Sequence, residues 1–185
     1  MAALSKVKAT RPCNPPVQPR IEPEIVFKLC RSLPKTDHPA KILQSVEWFA
    51  PGFEIVQCHF PDWKFSAADC IADFGLHGLL VLGSPVQVAG VSCTALASEL
   101  SQFAVALSCG STIGGHGSGS LVLGSPLIAL VHLNRKLERS GDRPLAGGEV
   151  VTTGTLTDAW PVLAGEAWSA DYTTLGTQSM SVRFV

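Results

Sequence analysis

Apolar and polar residues alternate with a period of two along residues 20–27, which predicts an extended strand. Two acidic side chains, Glu22 and Glu24, share one face of this segment with Val26. The opposite face is apolar and consists of Ile21, Pro23, Ile25 and Phe27. Because proline cannot donate a backbone hydrogen bond to a central ladder, Pro23 favours a position near a sheet edge.

A second alternating segment, residues 52–60, carries Glu54 on the more apolar of its two faces. An isolated carboxylate on such a face is costly, so it needs a partner. One alternative is a hard divalent cation that joins Glu54 to Glu22 and Glu24. The other is a structural ion pair between Glu54 and Lys64, which would leave Glu22 and Glu24 as exposed residues of an edge strand.

The remaining pattern predicts an α+β fold. Apolar residues at helical spacing predict a first main helix over residues 39–50, and Ser125 caps a second helix that ends before Gly141. Residues 102–116 alternate around a glycine turn and predict a hairpin, and residues 149–185 are rich in strand formers. Strands and helices do not alternate regularly, which favours a mixed, mainly antiparallel β-sheet roll with two main helices.

Composition excludes several partners. A net charge of -1 and an isoelectric point near 6.5 provide no basic stripe for nucleic acid, and no apolar run is long enough to span a membrane. The glycine-rich residues 114–120 match neither nucleotide-binding glycine motif. A mean hydropathy of +0.26 indicates surplus apolar surface, from which we expect a homo-oligomer.

The N-terminal residues and the cysteines indicate the cellular context. Residues 1–19 are basic and contain prolines, which predicts an extended or disordered arm, although an organellar transit function stays open. Residues 20–185 form the predicted domain. The six cysteines are evenly spread without a CxxC motif or secretory signal, which favours reduced thiols and a cytoplasmic location.

Several short motifs occur in an order that resembles one protein family. They are RIEPEI at 20–25, FEIV at 53–56, DWK at 62–64, IAD at 71–73, LGSP at 123–126 and GEVVTTGT at 148–155. This succession resembles the 2-keto-4-pentenoate hydratase and 4-oxalocrotonate decarboxylase branch of the fumarylacetoacetase superfamily. The resemblance implies that residues 20–185 fold like the fumarylacetoacetase C-terminal catalytic domain, and that Glu22, Glu24 and Glu54 hold Mg²⁺ or Mn²⁺.

The same resemblance implies a function. It indicates a lyase that adds water to a 2-hydroxydienoate or 2-keto-4-enoate, giving a 4-hydroxy-2-keto acid in the catabolism of aromatic compounds. Lys64 and Asp73 would be catalytic, and Lys64 and Thr155 would bind the small 2-keto acid substrate. The chain departs from the family after Asp73, where Phe74 to His77 replace an asparagine and small polar residues.

Two alternatives remain open from the sequence. The first is a decarboxylase of the 4-oxalocrotonate type. The second follows from the expectation that the chain lacks an N-terminal region that supplies acid and base groups in related hydratases. In that case the chain would be a truncated, non-catalytic metal-binding subunit in a hetero-complex with a related decarboxylase or hydratase.

Overall fold

The computed structural model describes residues 17–173 and 175–185, so most of the predicted arm lies outside the described residues. Six of the strands form one sheet: β1 (Arg20–Leu29), β2 (Val46–Val56), β3 (His77–Leu82), β4 (Val86–Gln87), β7 (Val150–Thr152) and β8 (Trp160–Pro161). The other sheet contains β5 (Ala104–Cys109), β6 (Thr112–Ser118), β9 (Ala167–Thr173) and β10 (Met180–Arg183). The helices are α1 (Pro39–Leu43), α2 (Ala67–Ala72), α3 (Cys93–Gln102) and α4 (Pro126–Ser140).

Every strand pair that the structure describes is antiparallel. The larger sheet has the order β3-β2-β1-β7, with β4 on β2 and β8 on β1, and the smaller has the order β10-β9-β5-β6. The predicted α+β class and the hairpin of β5 and β6 are therefore confirmed. The prediction of a mixed but mainly antiparallel roll is likewise confirmed, and the strand pairs described are all antiparallel.

Strand β1 is central, and the prediction that it lies near a sheet edge is wrong. It pairs with β2 along its length and with β7 and β8 on its other side. Strand β8 pairs with β1 at Arg20 and Ile21, and β7 pairs with it only from Val26 to Lys28. Pro23 therefore sits where β1 has no strand partner on that side, so its missing N–H leaves no ladder bond unmade.

The first predicted helix is much shorter than expected. Helix α1 ends at Leu43, and β2 already begins at Val46 and continues through Pro51. Most side chains of β2 are buried, so its sequence is a nearly continuous apolar run that also fits helical spacing. The two main helices are instead α3 and α4, and α4 begins after Ser125 and ends at left-handed Gly141 as predicted.

The hydrophobic core lies between the two sheets and under α3 and α4. Ile21, Ile25 and Phe27 project into it from β1, as the alternation predicted. Tyr172 of β9 joins the two layers, because its hydroxyl donates to the carbonyl oxygens of Glu24 and Gly52 at 3.4 and 3.3 Å. Burial of this apolar face fixes β1 so that its other face, with both glutamates, points away from the core.

The glycines of β6 allow close backbone packing. A Cβ atom on Gly117 would lie 1.7 Å from the carbonyl oxygen of Leu156, which only glycine permits. Residues 153–157, which we call the connecting segment, thereby pack directly on β6 and also on β1, where the Leu156 N–H donates to the Pro23 carbonyl at 2.8 Å. No helix within residues 17–173 and 175–185 has the length and apolar character to cross a bilayer.

Candidate metal centre

Three carboxylates meet on the face of β1 and β2 that points away from the core. In the β1–β2 register Glu22 lies directly opposite Glu54, and Glu24 follows two residues later on the same face of β1. One carboxylate oxygen from each of Glu22, Glu24 and Glu54 lies within 4.8 Å of the others. The structure thus brings together the three acids that the sequence analysis predicted as metal ligands.

Glu24 is the most deeply buried acid of the cluster, with 1% of its surface exposed. Its Oε2 accepts hydrogen bonds from the backbone N–H groups of Thr153 and Gly154, both at 3.0 Å. Its Oε1 is also buried but has no hydrogen-bond partner in the described structure. A buried oxygen of this kind is costly unless a proton or a cation satisfies it.

Burial and the neighbouring charge of Glu54 raise the pKa of Glu22 and of Glu24. Burial, followed by the charge of Glu54, raises the pKa of Glu24 from 4.5 to about 8. The same two causes raise the pKa of Glu22 from 4.5 to about 7, against the opposing charge of Arg20. A divalent cation would remove both penalties at once, because it favours the charged form of all three groups.

Hydrogen bonds hold the three carboxylates to different degrees. Glu54 Oε1 lies 2.6 Å from Nδ1 of His77, at the start of the neighbouring strand β3. Glu24 is held by two backbone amides, whereas Glu22 accepts no hydrogen bond from the described part of the chain. Two of the candidate ligands are therefore fixed in position, and the third is free to adjust.

A cavity of about 490 Å³ opens above the carboxylates. Its other walls are mostly apolar and come from β2, the turn at Trp63, the loop before β3, the first residue of β3, the end of β7 and the connecting segment. Besides the three glutamates, the lining residues are Val56, Trp63, Phe74, Gly75, Leu76, His77, Thr152 and Gly154. An acidic floor under apolar walls suits a small ligand that has a metal-binding end and a hydrocarbon end.

The structure places Lys64 outside this cavity. Its side chain is 82% exposed, and Nζ lies 3.6 Å from Asp62 Oδ2, which is the surface pairing and not the pairing with Glu54. The reason is local backbone geometry, because Asp62 and Trp63 both have positive φ angles and the turn directs Trp63 into the cavity. The predicted catalytic and substrate-binding role of Lys64 stays a prediction.

Asp73 and Thr155 lie beside the cavity without lining it. Asp73 lies at the C-terminal end of α2, and its Oδ2 is 2.8 Å from Nδ1 of His59. Thr155 donates its hydroxyl to the Thr157 carbonyl at 2.8 Å, while the preceding Gly154 reaches the carboxylates. The predicted catalytic role of Asp73 and the predicted binding role of Thr155 stay predictions.

Two sets of groups around the carboxylates were not predicted from the sequence. His77 lies in the stretch that departs from the family pattern, and nothing in the sequence indicated its contact with Glu54. The backbone amides of Thr153 and Gly154 that hold Glu24 were not predicted either, because a backbone donor leaves no signature in side-chain patterns. The run of small residues in the connecting segment was the available signal for the second contact.

The residues present fit a hard divalent cation. Carboxylate oxygens are the ligands that Mg²⁺ and Mn²⁺ prefer, and three of them leave coordination positions for water or a ligand. The partnerless Oε1 of Glu24 lies within the cluster that would share the cation. The donor set and the unmet polar atom therefore both indicate a cation site.

Comparison with known proteins gives several relatives. The chain is 33% identical over 165 residues to 2-keto-4-pentenoate hydratase 1 of Dechloromonas aromatica (strain RCB), covering 88% of this chain and 60% of that protein. It is 32% identical over 166 residues to 2-hydroxyhexa-2,4-dienoate hydratase of Comamonas testosteroni, covering 89% and 60%. The chain thus spans about 60% of the length of these relatives. No protein-family model matches the chain.

Solved structures support the fold. The 4-oxalocrotonate decarboxylase from Pseudomonas putida G7, complexed with magnesium and adipate, superposes with a TM-score of 0.79. It is 23% identical and covers 92% of this chain and 62% of that one. A fumarylacetoacetate isomerase/hydrolase-type protein from Oleispira antarctica superposes with a TM-score of 0.65 at 17% identity, covering 95% of this chain and 74% of that one. The predicted architecture is therefore confirmed at the level of the fold.

Proposed function

We propose that the chain belongs to the 2-keto-4-pentenoate hydratase branch of the fumarylacetoacetase superfamily and is a metal-dependent hydro-lyase, because it is 33% identical over 88% of its length to a 2-keto-4-pentenoate hydratase. It would add water to a 2-hydroxydienoate or 2-keto-4-enoate and release a 4-hydroxy-2-keto acid. The relatives named for hydration of such compounds support this reaction. The observation that carries the proposal is the carboxylate cluster with its partnerless Glu24 oxygen.

The proposed cofactor is Mg²⁺ or Mn²⁺, held by Glu22, Glu24 and Glu54. When bound, a divalent cation polarises the oxygen of a chelated keto acid and stabilises the negative charge that develops there. The chain itself supplies position and environment. The amides of Thr153 and Gly154 keep Glu24 in place, so the acidic floor keeps its shape when a ligand enters.

The apolar walls have a separate role. Val56, Trp63 and Leu76 would pack against the unsaturated carbon chain of the substrate and exclude water other than the molecule that adds to it. Phe74 is 87% exposed although it borders the cavity, and it would cover part of a bound ligand. The chain would thereby limit the water at the reacting double bond to the molecule that is added to carbon 4.

The test uses metal-free chain and 2-hydroxypenta-2,4-dienoate, the hydroxydienoate form of 2-keto-4-pentenoate. We expect loss of the dienoate absorbance only after Mg²⁺ or Mn²⁺ is added, and loss of this activity in Glu54→Gln. Glu47→Gln is the matched control, because Glu47 lies on the same strand but pairs with Lys28 at 3.1 Å. Hydration that is unaffected by metal removal would contradict the proposal.

A second candidate, left open by the sequence, is a 2-keto acid decarboxylase of the 4-oxalocrotonate type, with which the chain shares its fold at 23% identity. Release of carbon dioxide from a 2-keto dicarboxylate without hydration of the dienoate would support it. A third outcome, metal binding without turnover, would support a metal-binding subunit that acts with a related hydratase or decarboxylase. Mixing the chain with such an enzyme and measuring a stable complex would then identify that role.

A further inference from the structure

We propose that His77 is a positioning residue for the metal centre, which holds the Glu54 carboxylate in place by donating the Nδ1–H hydrogen to Oε1. The inference rests on the proposed metal site. It concerns a residue of the stretch 74–77, at which the sequence departs from the pattern that the family resemblance implies. The distance of 2.6 Å and the place of both side chains in the cavity wall support a direct hydrogen bond.

A β-bulge brings His77 to this face of the sheet. Ile55 pairs with Leu79, but the next residue, Val56, pairs with His77, so the register between β2 and β3 shifts by one residue at Gly78. In a regular ladder Val56 would lie opposite Gly78, and His77 would point to the opposite face with Leu79. The extra residue therefore places the imidazole on the face that carries Glu54.

The backbone around His77 is built for this placement. A Cβ atom at Gly78 would lie 2.7 Å from the Ile55 carbonyl oxygen, so the bulge requires glycine. Immediately before His77, the three residues Phe74, Gly75 and Leu76 all have positive φ angles. Left-handed geometry is unfavourable for Phe74 and Leu76, and such strain concentrates where the chain positions a functional group.

The hydrogen bond would act on the metal through Glu54. With Oε1 held by the imidazole, the other oxygen of Glu54 is oriented for the cation, and less conformational entropy is lost on binding. Glu24 is held in the same manner by two amides. Partners of this kind typically contribute about 10- to 100-fold to metal affinity.

The experiment measures Mn²⁺ binding to the metal-free chain at pH 8 by the paramagnetic resonance signal of free Mn²⁺. We expect His77→Leu to weaken binding about 10- to 100-fold. His77→Asn should keep the affinity within about threefold, because the asparagine amide nitrogen occupies the position of Nδ1. His132→Leu, on the exposed side of α4, is the matched control and should bind as the wild type does.

Each outcome decides the inference. Wild-type affinity in His77→Leu, or an equal loss in His77→Leu and His77→Asn, would overturn it, because the donated hydrogen would then be irrelevant. If the wild-type chain binds no Mn²⁺, both this inference and the proposed metal dependence are wrong. If the wild type binds Mn²⁺ but fails to hydrate the dienoate, the hydratase proposal fails while the role of His77 stands on the three affinities. Circular dichroism and thermal unfolding confirm that each variant is folded.

Discussion

Replacing Glu24 by glutamine should stabilise the metal-free protein at alkaline pH and destabilise the metal-bound one. Glutamine has the shape of a protonated glutamate, so its oxygen can accept from Thr153 and Gly154 while its amide donates towards Glu54. At pH 9 wild-type Glu24 must ionise beside Glu54 without a cation, whereas the glutamine side chain of the Glu24→Gln variant stays neutral.

The magnitude follows from the pKa of Glu24. Its value of about 8 in the folded protein exceeds the ordinary 4.5, so the folded state binds a proton more tightly than the unfolded chain does. The free energy of unfolding of the metal-free wild type therefore falls as pH rises from about 4.5, and the loss is complete above about pH 8. At about 1.4 kcal/mol per pH unit, we expect a loss of about 3 to 5 kcal/mol.

The assay is urea denaturation of wild type and Glu24→Gln in a chelator at pH 5.5 and pH 9, repeated at pH 9 with excess Mg²⁺. The two proteins should be similarly stable at pH 5.5, and the variant should be more stable at pH 9 without metal. With Mg²⁺ the order should reverse, because the variant has lost a ligand. A stability difference that is the same at both pH values without metal would refute the reasoning, since ionisation of Glu24 would then cost nothing.

Two further predictions concern residues that hold the layers together. Burial, followed by the charge of Glu24, raises the pKa of Tyr172, which is the one tyrosine of the chain. Its ultraviolet titration should therefore show no phenolate at about pH 11 until denaturant unfolds the protein. Phenolate formation near pH 10 in the folded chain would contradict this burial. Gly117→Ala should destabilise the fold by about 2 to 3 kcal/mol, because its Cβ would overlap the Leu156 carbonyl. Gly115→Ala should cost less, because its Cβ would meet only side chains, with Trp160 nearest at 3.3 Å and Thr157 at 3.6 Å. Equal thermal unfolding midpoints of the two variants would contradict the close packing at Gly117.

Sequence patterns were sufficient where side-chain alternation and local motifs decide the structure. The two faces of β1 follow from burial of its apolar side, and the capped helix α4 follows from Ser125 and Gly141. The meeting of Glu22 with Glu54 required the register of β1 with β2, which alternation alone does not specify. The family resemblance supplied the expectation that these acids share an ion.

The failures have identifiable physical causes. The helix predicted over residues 39–50 was too long, because an apolar strand covered on both faces has no distinctive period. The contact of His77 with Glu54 depends on a single extra residue at Gly78, and one-residue register shifts are invisible to pattern analysis. Likewise, Lys64 faces solvent because Asp62 and Trp63 have left-handed backbone geometry, which cannot be predicted from either residue type.

The connecting segment links the two sheets mechanically. The N–H groups of Thr153 and Gly154 donate to the Glu24 carboxylate, and the Leu156 N–H donates to the Pro23 carbonyl of β1. The Leu156 carbonyl packs against the backbone of Gly117 in the other sheet. A ligand that stiffens the acidic floor would therefore also damp motion in the β5–β6 hairpin. Substitutions in the β5–β6 hairpin would in turn weaken the hydrogen bonds to Glu24, although no side chain of the hairpin lines the cavity.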